Sequence, residues 1–295
     1  MACIAVVGLG NMGGPMAANL RKAGHTVQGF DVSARCREQA AAGGITVASS
    51  VEDAVRGADA VLTMLPNGEI VASVWREAVA AARPATLMID SSTIDVASAR
   101  AVHDVARGAG HLSLDAPVSG GTEGATAGTL TFMVGGDPDS FAAGQPLLAA
   151  MGRRIVHCGA AGTGQAAKIC NNMILGVTMI AVSEAFNLAS QVGLSHQSLF
   201  DVASTSSGQC YALTTHCPVP GPVPTAAANR DYRPGFAAEL MLKDLGLSQA
   251  VASASGTATP LGAAAHAIFD AFVEQGGRGR DYSAVVDYLG RLPAT

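Results

Sequence analysis

The chain has 295 residues, of which 49% are hydrophobic and 14% are charged, and its formal net charge at pH 7 is −5. This composition is typical of a folded globular protein and excludes an extended disordered chain. The charge is mild and no run of Lys and Arg is present, so no nucleic-acid partner is expected. A chain of this length predicts two domains.

The six cysteines form no CxxC pair and no metal-like spacing with histidine. Reduced, packed thiols and no metal site are therefore expected. The first predicted strand begins at the N-terminus and leaves no room for a signal or transit peptide, so we expect a soluble cytoplasmic protein. The seven histidines lie outside the motifs described below and are interpreted as ordinary surface or core residues.

The start of the chain predicts a dinucleotide-binding motif. A continuous apolar run, Cys3-Ile-Ala-Val-Val7, is typical of a strand that is buried on both faces. A glycine motif at 8–13 follows at once and leads into a predicted helix at 15–20. In this context the glycines allow a tight turn, the close approach of a pyrophosphate at the helix N-terminus, and close helix packing. The expected cofactor contacts are Gly8, Gly10, Asn11, Met12 and Gly13.

A second predicted strand, at 26–30, ends on Asp31. An acidic residue about 20 positions into such a motif is placed to accept the ribose hydroxyls of NAD. Its carboxylate would repel a 2′-phosphate, and Val32 is no phosphate ligand, so NAD is favoured over NADP. Arg35 and Arg37 lie close enough in sequence to be recruited, but a solvated helix face is expected for them. The alternative interpretation is a glycine turn followed by a strand-capping aspartate.

Strands and helices then alternate as in a doubly wound α/β domain. Further strands are predicted at 60–65, 87–90, 111–115, 129–135 and 151–158, and helices at 51–56, 70–82 and 95–107. In open α/β sheets, ligands bind beyond the carboxyl ends of the strands. Three segments occupy such ends, namely Leu65-Pro66, Ser92-Thr93 and Ser119-Gly120-Gly121.

The stretch from Gly162 to Leu194 is apolar on nearly every side, which is typical of a helix inside a protein or a membrane. Polar residues close its apolar run at both ends, short of the ~20 residues that a membrane span needs, so no membrane is expected. Within a predicted helix at 165–192, Lys168 and Asn172 project from one face, one turn apart. A lysine at the head of so apolar a helix is either a snorkelling end residue or part of a site.

Beyond the long helix the sequence predicts no strand. Helices are predicted at 195–206, 236–253, 260–274 and 283–289, whereas 209–234 is too rich in proline to be regular. The expected fold is a Rossmann-type, doubly wound α/β domain at 1–162. It is followed by an all-α domain at 163–295, which the long helix joins to the first.

Five segments, in this order, closely resemble motifs of the β-hydroxyacid dehydrogenase family. They are GLGNMG at 8–13, DAPVSGG at 115–121, GATAGTL at 124–130, GQAAKICNN at 164–172 and LMLKD at 240–244. The resemblance covers nearly the whole chain, and several motifs in register are more specific than any one alone. It implies that the α-helical domain forms much of the subunit interface of a homodimer or homotetramer.

The resemblance also implies roles for individual residues. Lys168 matches the catalytic lysine, and Asn172 matches its neighbour, which orients the substrate. Phe236 corresponds to an aromatic residue of the pocket wall. The loop that holds the substrate carboxylate is matched by Ser119, Gly120 and Gly121, and further cofactor contacts are matched by Leu65, Pro66, Thr93 and Lys243.

The implied reaction oxidises a small hydroxy acid, with 3-hydroxyisobutyrate as the expected substrate and methylmalonate semialdehyde as the product. NAD⁺ would accept the hydride and Lys168 the hydroxyl proton, which requires the lysine pKa to fall well below its ordinary value of ~10.4. An apolar setting and the nearby nicotinamide cation both lower that pKa. Backbone N–H groups at 119–121 suit a carboxylate, because glycine lets the chain come close.

Several alternatives stay open. Within the family they are an L-serine dehydrogenase and a reductase of tartronate semialdehyde, glyoxylate or succinic semialdehyde. The proline-rich segment 217–234 and Asp31 favour the hydroxyisobutyrate enzyme. A non-catalytic NAD(P)-binding module is the alternative from another class, and the presence of Lys168 and Asn172 argues against it. Imine reductases share the architecture but have a different residue at the position of Lys168.

Overall fold

The computed structural model describes residues 1–293. The chain divides into two units, the first being Met1–Lys168 and the second beginning at Ile169. The division falls inside the long helix, whereas the predicted domain limits, 1–162 and 163–295, place it just before that helix.

The first unit is built on a sheet of nine strands. They are β1 (Cys3–Val7), β2 (Thr26–Phe30), β3 (Thr46–Val47), β4 (Ala60–Thr63), β5 (Leu87–Asp90), β6 (Leu112–Asp115), β7 (Val118–Ser119), β8 (Leu130–Gly135) and β9 (Gly152–Gly159). The strand order is β3-β2-β1-β4-β5-β6-β8-β7, and β9 pairs with β8. Strands β1 to β6 run parallel, whereas β8 is antiparallel to β6 and β7. This is the Rossmann order, and it confirms the predicted doubly wound class.

Helices cover both faces of this sheet. They are α1 (Gly13–Lys22), α2 (Ala34–Ala42), α3 (Val51–Val55), α4 (Gly68–Ala81), α5 (Val96–Gly108), α6 (Gly121–Ala127) and α7 (Pro138–Ala149). Alternate residues of β1 belong to different hydrophobic clusters, Ile4 and Val6 to one, and Ala5 and Val7 to the other. Because successive side chains of a strand point to opposite faces, a strand covered on both faces is apolar throughout.

Helix α8 (Thr163–Gln191) begins in the first unit and continues into the second. The remaining helices are α9 (His196–Ala203), α10 (Tyr211–Thr214), α11 (Ala238–Ser255), α12 (Pro260–Phe272) and α13 (Val285–Leu289). Between residues 169 and 293 the structure has no strand, and one isolated bridge joins Ala237 to Asp281. The all-α prediction for this part of the chain is confirmed.

By length and composition, α8 is able to cross a membrane, since an 18-residue window within its 29 residues has a mean hydropathy of 1.5. The length argument made from the sequence is therefore insufficient by itself. The core helix of a soluble protein has the same properties. Met179 and Phe186 are fully buried in hydrophobic clusters of the second unit, and Gly176 lets Leu245 of α11 pack closely. These contacts form one buried side of α8, and 33% of the apolar window is buried.

Candidate active site

The turn between β1 and α1 accepts only glycine at two of its positions. Gly8 has a φ of +94°, and a Cβ there would lie 2.2 Å from the carbonyl oxygen of Met64. A Cβ on Gly13 would lie 1.9 Å from the carbonyl oxygen of Gly8, so only glycine lets α1 start this close to the sheet.

Gly10 is different, because a Cβ there would meet no atom of the described residues within 4 Å. The space beside its backbone is open on the side from which a pyrophosphate would approach. Helix α1 begins without a side-chain cap from the described residues. In its first turn the N–H of Gly14 donates to the carbonyl of Gly10 at 3.0 Å and Pro15 has no N–H, so the N–H of Gly13 is the first-turn donor that remains for an anion. The turn thus fits the pyrophosphate of NAD. Two further predicted contacts, Asn11 and Met12, lie in the same turn.

Asp31 joins this turn to the end of β2. Its Oδ2 accepts a hydrogen bond from the backbone N–H of Leu9 at 2.7 Å, and its Oδ1 accepts one from Ser33 at 2.8 Å. The strand-capping role considered from the sequence is therefore real. It is compatible with ribose binding, because each carboxylate oxygen can accept a second hydrogen bond.

Arg37 differs from the solvated position predicted for it. Its Nη1 donates to the backbone carbonyls of Asp31 at 2.6 Å and Val32 at 3.0 Å. Its guanidinium therefore holds the loop after β2. Arg35 is exposed, as predicted.

A buried polar cluster joins the ends of β4 and β5. Oδ1 of Asp90 accepts hydrogen bonds from the hydroxyls of Thr63 at 2.7 Å and Ser92 at 2.6 Å. Trp75 Nε1 donates to Thr63 Oγ1 at 3.0 Å. Ser92 Oγ accepts from the backbone N–H of Leu65 at 2.8 Å, so the cluster fixes the backbone of a predicted cofactor contact.

Burial raises the pKa of Asp90 to about 6, against the opposing effect of hydrogen bonds from Ser92 and Thr63. Asp90 is not among the predicted site residues, although an acidic residue at the end of an otherwise apolar strand was a usable signal. Two predicted cofactor contacts follow these strand ends, Pro66, which is exposed, and Thr93, which is half-buried.

The predicted carboxylate loop follows β7, in which Ser119 pairs with Thr131 of β8. Gly120 and Gly121 have φ values of 134° and 60°, in the region that residues with side chains rarely adopt. Ser119 is half-buried and Gly120 is exposed, so the backbone of this turn is open to a small anion.

Lys168 lies in the second turn of α8, and only 7% of it is exposed. A snorkelling end residue would keep its amine in water, so that interpretation fails.

Three predicted site residues belong to the second unit, namely Asn172, Phe236 and Lys243. Asn172 is 1% exposed, and its Nδ2 donates to Oδ2 of Asp244 at 2.5 Å. Asp244 is itself buried and directly follows Lys243 in α11. Asp244 lies in one of the family-like motifs but is not a predicted site residue, and its hydrogen bond holds the amide of Asn172.

Phe236 precedes α11 and packs edge-on against Tyr282, with ring centroids 5.6 Å apart. A fully buried aspartate, Asp281, anchors its backbone. Oδ2 of Asp281 accepts from the N–H groups of Gly235 at 3.0 Å and Phe236 at 3.2 Å. Oδ1 bonds His216 Nε2 at 2.8 Å. Burial raises the pKa of Asp281, but the hydrogen bonds of His216 and Ser283 and the His216 charge outweigh it, so this pKa lies below its usual value.

Two of the histidines predicted to be ordinary surface or core residues hold buried carboxylates. His216 bonds Asp281 at 2.8 Å, and His103 bonds Asp115 at 2.9 Å. Among residues 1–293, no group of three or more His, Cys, Asp or Glu side chains is placed to hold a metal ion. The cysteines are free thiols.

Two family models match the chain. The model described as the NAD binding domain of 6-phosphogluconate dehydrogenase matches residues 3–159. The model described as NAD-binding of NADP-dependent 3-hydroxyisobutyrate dehydrogenase matches residues 162–289.

Known proteins are similar over nearly the whole chain. A probable 3-hydroxyisobutyrate dehydrogenase of Mycobacterium tuberculosis is 54% identical over 289 residues, which are 98% of each chain. An NAD-dependent L-serine dehydrogenase of Pseudomonas aeruginosa is 46% identical over 97% of each chain. A solved structure of the Mycobacterium tuberculosis 3-hydroxyisobutyrate dehydrogenase with L-serine has a TM-score of 0.95 and 54% identity, covering 99% of this chain and 100% of that one. The chain therefore belongs to the β-hydroxyacid dehydrogenase family and is an NAD-dependent oxidoreductase.

Proposed function

We propose that the protein oxidises 3-hydroxyisobutyrate to methylmalonate semialdehyde, a step of valine catabolism. The observation that carries the proposal is the buried Lys168, which belongs to the same unit as the nucleotide turn and the glycine loop at 119–121. The whole-length similarity to a probable 3-hydroxyisobutyrate dehydrogenase supports this choice of substrate.

NAD⁺, when bound, accepts a hydride from the carbinol carbon of the substrate. In the proposed mechanism the neutral amine of Lys168 accepts the hydroxyl proton as the C–H and O–H bonds break and the carbonyl forms. The proton then passes from the lysine to water. The backbone at Ser119, Gly120 and Gly121 binds the carboxylate and orients the carbinol carbon.

The other predicted residues keep their proposed roles. Asn172 orients the substrate and Phe236 forms part of the pocket wall. Cofactor binding is assigned to Gly8, Gly10, Asn11, Met12, Gly13, Asp31, Leu65, Pro66, Thr93 and Lys243.

L-Serine is the second candidate substrate, since one relative is an L-serine dehydrogenase and one similar structure was solved with L-serine. It shares the carboxylate and the primary alcohol of 3-hydroxyisobutyrate and carries an ammonium in place of a methyl group. Because a methyl group and an ammonium differ greatly in hydration, one pocket cannot favour both equally.

The test measures NADH formation from 3-hydroxyisobutyrate, L-serine and other small hydroxy acids. We expect the largest kcat/KM with 3-hydroxyisobutyrate. A larger value with L-serine would replace the proposed substrate without changing the mechanism.

The role of Lys168 is tested separately with Lys168→Ala. General acid–base groups typically contribute ~10²–10⁴-fold, so kcat should fall by about that much while NADH binding survives. Lys168→Arg should not restore activity, because a guanidinium stays protonated. A Lys168→Ala protein that binds NADH and turns over at nearly the wild-type rate contradicts the mechanism.

Selectivity for NAD over NADP is proposed to depend on Asp31. Asp31→Asn removes the charge that repels a 2′-phosphate and keeps one of the two acceptor oxygens of the turn, the other being replaced by an NH2 group. Loss of the second acceptor weakens the turn for both cofactors, so the readout is the ratio of kcat/KM with NAD⁺ to that with NADP⁺, and this ratio should narrow. Equal kcat/KM values with NAD⁺ and NADP⁺ in the wild type would contradict this assignment.

We also propose that the protein is a homodimer or homotetramer and works in the cytoplasm. Within the second unit, an apolar groove of about 380 Å³ is lined by α8 and the start of α12. Ile174 and Leu261 at this groove are 61% and 69% exposed, which is unusual for large apolar side chains that lie together. Light scattering of wild type and Leu261→Glu tests this, and a wild-type monomer would contradict it.

A further inference from the structure

Gln165 is fully buried and lies in the first turn of α8, three residues before Lys168. Its Nε2 donates to the backbone carbonyl of Ser92 at 2.7 Å. Its Oε1 accepts from the backbone N–H of Ile94 at 3.1 Å. The amide therefore clamps the backbone on both sides of Thr93, one of the proposed cofactor contacts.

Asp115 holds the backbone of the same turn. Its Oδ1 accepts from the N–H of Gly162 at 2.8 Å and its Oδ2 from the N–H of Gln165 at 2.9 Å. Two glycines leave room for this carboxylate, since a Cβ on Gly135 would lie 2.4 Å from Oδ1 and one on Gly164 would lie 2.8 Å from Oδ2. Asp115 thus caps α8 and also ends β6, just before the Ser119 loop.

His103 completes the anchor from α5. Its Nε2 lies 2.9 Å from Oδ1 of Asp115, and its Nδ1 lies 2.7 Å from the hydroxyl of Ser113. All of these groups are buried, so the hydrogen bonds are not exchanged with water. The start of α8 is therefore held rigidly to the ends of β5 and β6.

We propose that Gln165 is a positioning residue for Lys168, acting by locking the first turn of α8 to the segment around Thr93. This inference rests on the proposed function of Lys168. An α-helix is stiff over a single turn, so the hydrogen bonds of Gln165 fix the backbone from which the Lys168 side chain extends. A displacement of about 1 Å at a catalytic group can lower the rate about 10²-fold.

The test replaces Gln165 with methionine, which has a similar length and cannot form either hydrogen bond. Gln191→Met is the matched control, because Gln191 is exposed at the other end of the same helix. Per NADH-binding site and at saturating NAD⁺, kcat of Gln165→Met should fall about tenfold or more. The Kd for NADH is measured separately, because loosening the segment around Thr93 weakens cofactor binding but does not lower kcat at saturation. The control should keep the wild-type kcat. An unchanged kcat in Gln165→Met would overturn the inference.

A double-mutant cycle separates positioning from a general structural effect. If Gln165 acts through Lys168, the Gln165→Met change should lower the rate by less than about twofold in the Lys168→Ala background. Equal losses in both backgrounds would overturn the inference. Failure of the proposed function is distinguishable, since Lys168→Ala alone would then be nearly as active as wild type.

Gln165→Glu is the alternative test variant if Gln165→Met does not fold. A protonated glutamic acid both donates and accepts as the amide does, whereas the carboxylate cannot donate to Ser92. Relative to wild type at the same pH, Gln165→Glu should be less active at pH 8 than at pH 6. A constant ratio of the two activities would overturn the inference.

Discussion

Asp90 in the first unit and Asp281 in the second are equally inaccessible to water, with 1% and 0% of each residue exposed. Their pKa values nevertheless move in opposite directions. Burial raises the pKa of Asp90 to about 6. Burial also raises the pKa of Asp281, but His216 and Ser283 outweigh it and leave that pKa below the usual value.

The difference lies in the partners. Asp90 has hydroxyl donors on one oxygen, and its Oδ2 has no hydrogen-bond partner among residues 1–293. Asp281 bonds an imidazole and a hydroxyl through one oxygen and two backbone N–H groups through the other. A buried carboxylate stays ionised more readily where hydrogen-bond donors reach both of its oxygens.

The largest expected effect is that of removing Asp281. Asp281→Ala leaves His216 and the N–H groups of Gly235 and Phe236 without their acceptor, and such losses typically cost about 3–5 kcal/mol. The melting temperature should fall by many degrees. Asp287→Ala is the matched control, since Asp287 forms a partly exposed ion pair with Arg280 and should change stability by less than about 1 kcal/mol. Equal effects of the two changes would contradict the anchoring role of Asp281.

The second prediction concerns pH. The folded-state pKa of Asp90 is raised from 3.8 to about 6, so the folded protein binds the extra proton and its stability falls as pH rises from 4 to 6. The contribution of Asp281 to stability changes with pH in the opposite sense. It is present above the ordinary pKa of 3.8 and is lost as pH falls below 4.

Asp90→Asn isolates the contribution of Asp90. At pH 7 the variant removes the buried charge, which stabilises the folded protein, but it also places an amide N–H where Oδ2 lacks a partner. The free energy of unfolding should therefore rise by about 1–2 kcal/mol. Between pH 4.5 and 7, its melting temperature should rise relative to that of the wild type. A difference that stays constant with pH would show that Asp90 does not titrate in this range.

Ser92→Ala should have a smaller effect on stability than Asp281→Ala, and it should also weaken cofactor binding. It removes one donor to Asp90 and leaves the N–H of Leu65 without its acceptor, which should cost about 1–3 kcal/mol. Because Leu65 is a proposed cofactor contact, the Kd for NADH, measured by fluorescence titration, should rise. An unchanged Kd would contradict the proposal that Leu65 contacts the cofactor.

The smallest effect is expected from Ser91→Ala, which is the matched control for Ser92→Ala. The Ser91 hydroxyl is buried and has no hydrogen-bond partner among the described residues. Deleting an unpaired buried hydroxyl should be neutral or stabilising by up to about 1 kcal/mol. A loss of stability comparable to that of Ser92→Ala would show that Ser91 has a partner in solution.

The nucleotide turn was predictable because its constraints are local. The glycine motif follows a continuous apolar strand, and Gly8 and Gly13 are needed within that same turn. Helix α7 was not predicted, because Gly144 and Pro146 weaken its helical signal. A Cβ on Gly144 would lie 2.4 Å from Cδ1 of the buried Leu114, so a larger residue would require that side chain to shift. The predicted irregular segment 209–234 contains α10 and a 3₁₀ turn, Ala227–Arg230.

Among the site residues, those within contiguous motifs were predicted, and their roles stay predictions until tested. Asp244, His216 and Asp281 were missed, because each acts through a partner that is distant in the sequence. Asn172 and Asp244 are 72 positions apart, and His216 and Asp281 are 65 positions apart. Sequence patterns of period 2 or 3.6 describe a single element and cannot join such pairs.

The sequence by itself determined the longer strands of the sheet in their order along the chain, the change from α/β to all-α, and the glycine turn for NAD. Each of these follows from local periodicity or from backbone conformations that one residue type allows. Only the tertiary structure decided that Gln165 and Asp115 lock the start of α8, and that Asp90 and Asp281 have opposite pKa shifts. The reason is that desolvation and hydrogen bonding depend on which groups approach in space, which is set by the packing of elements far apart in the chain.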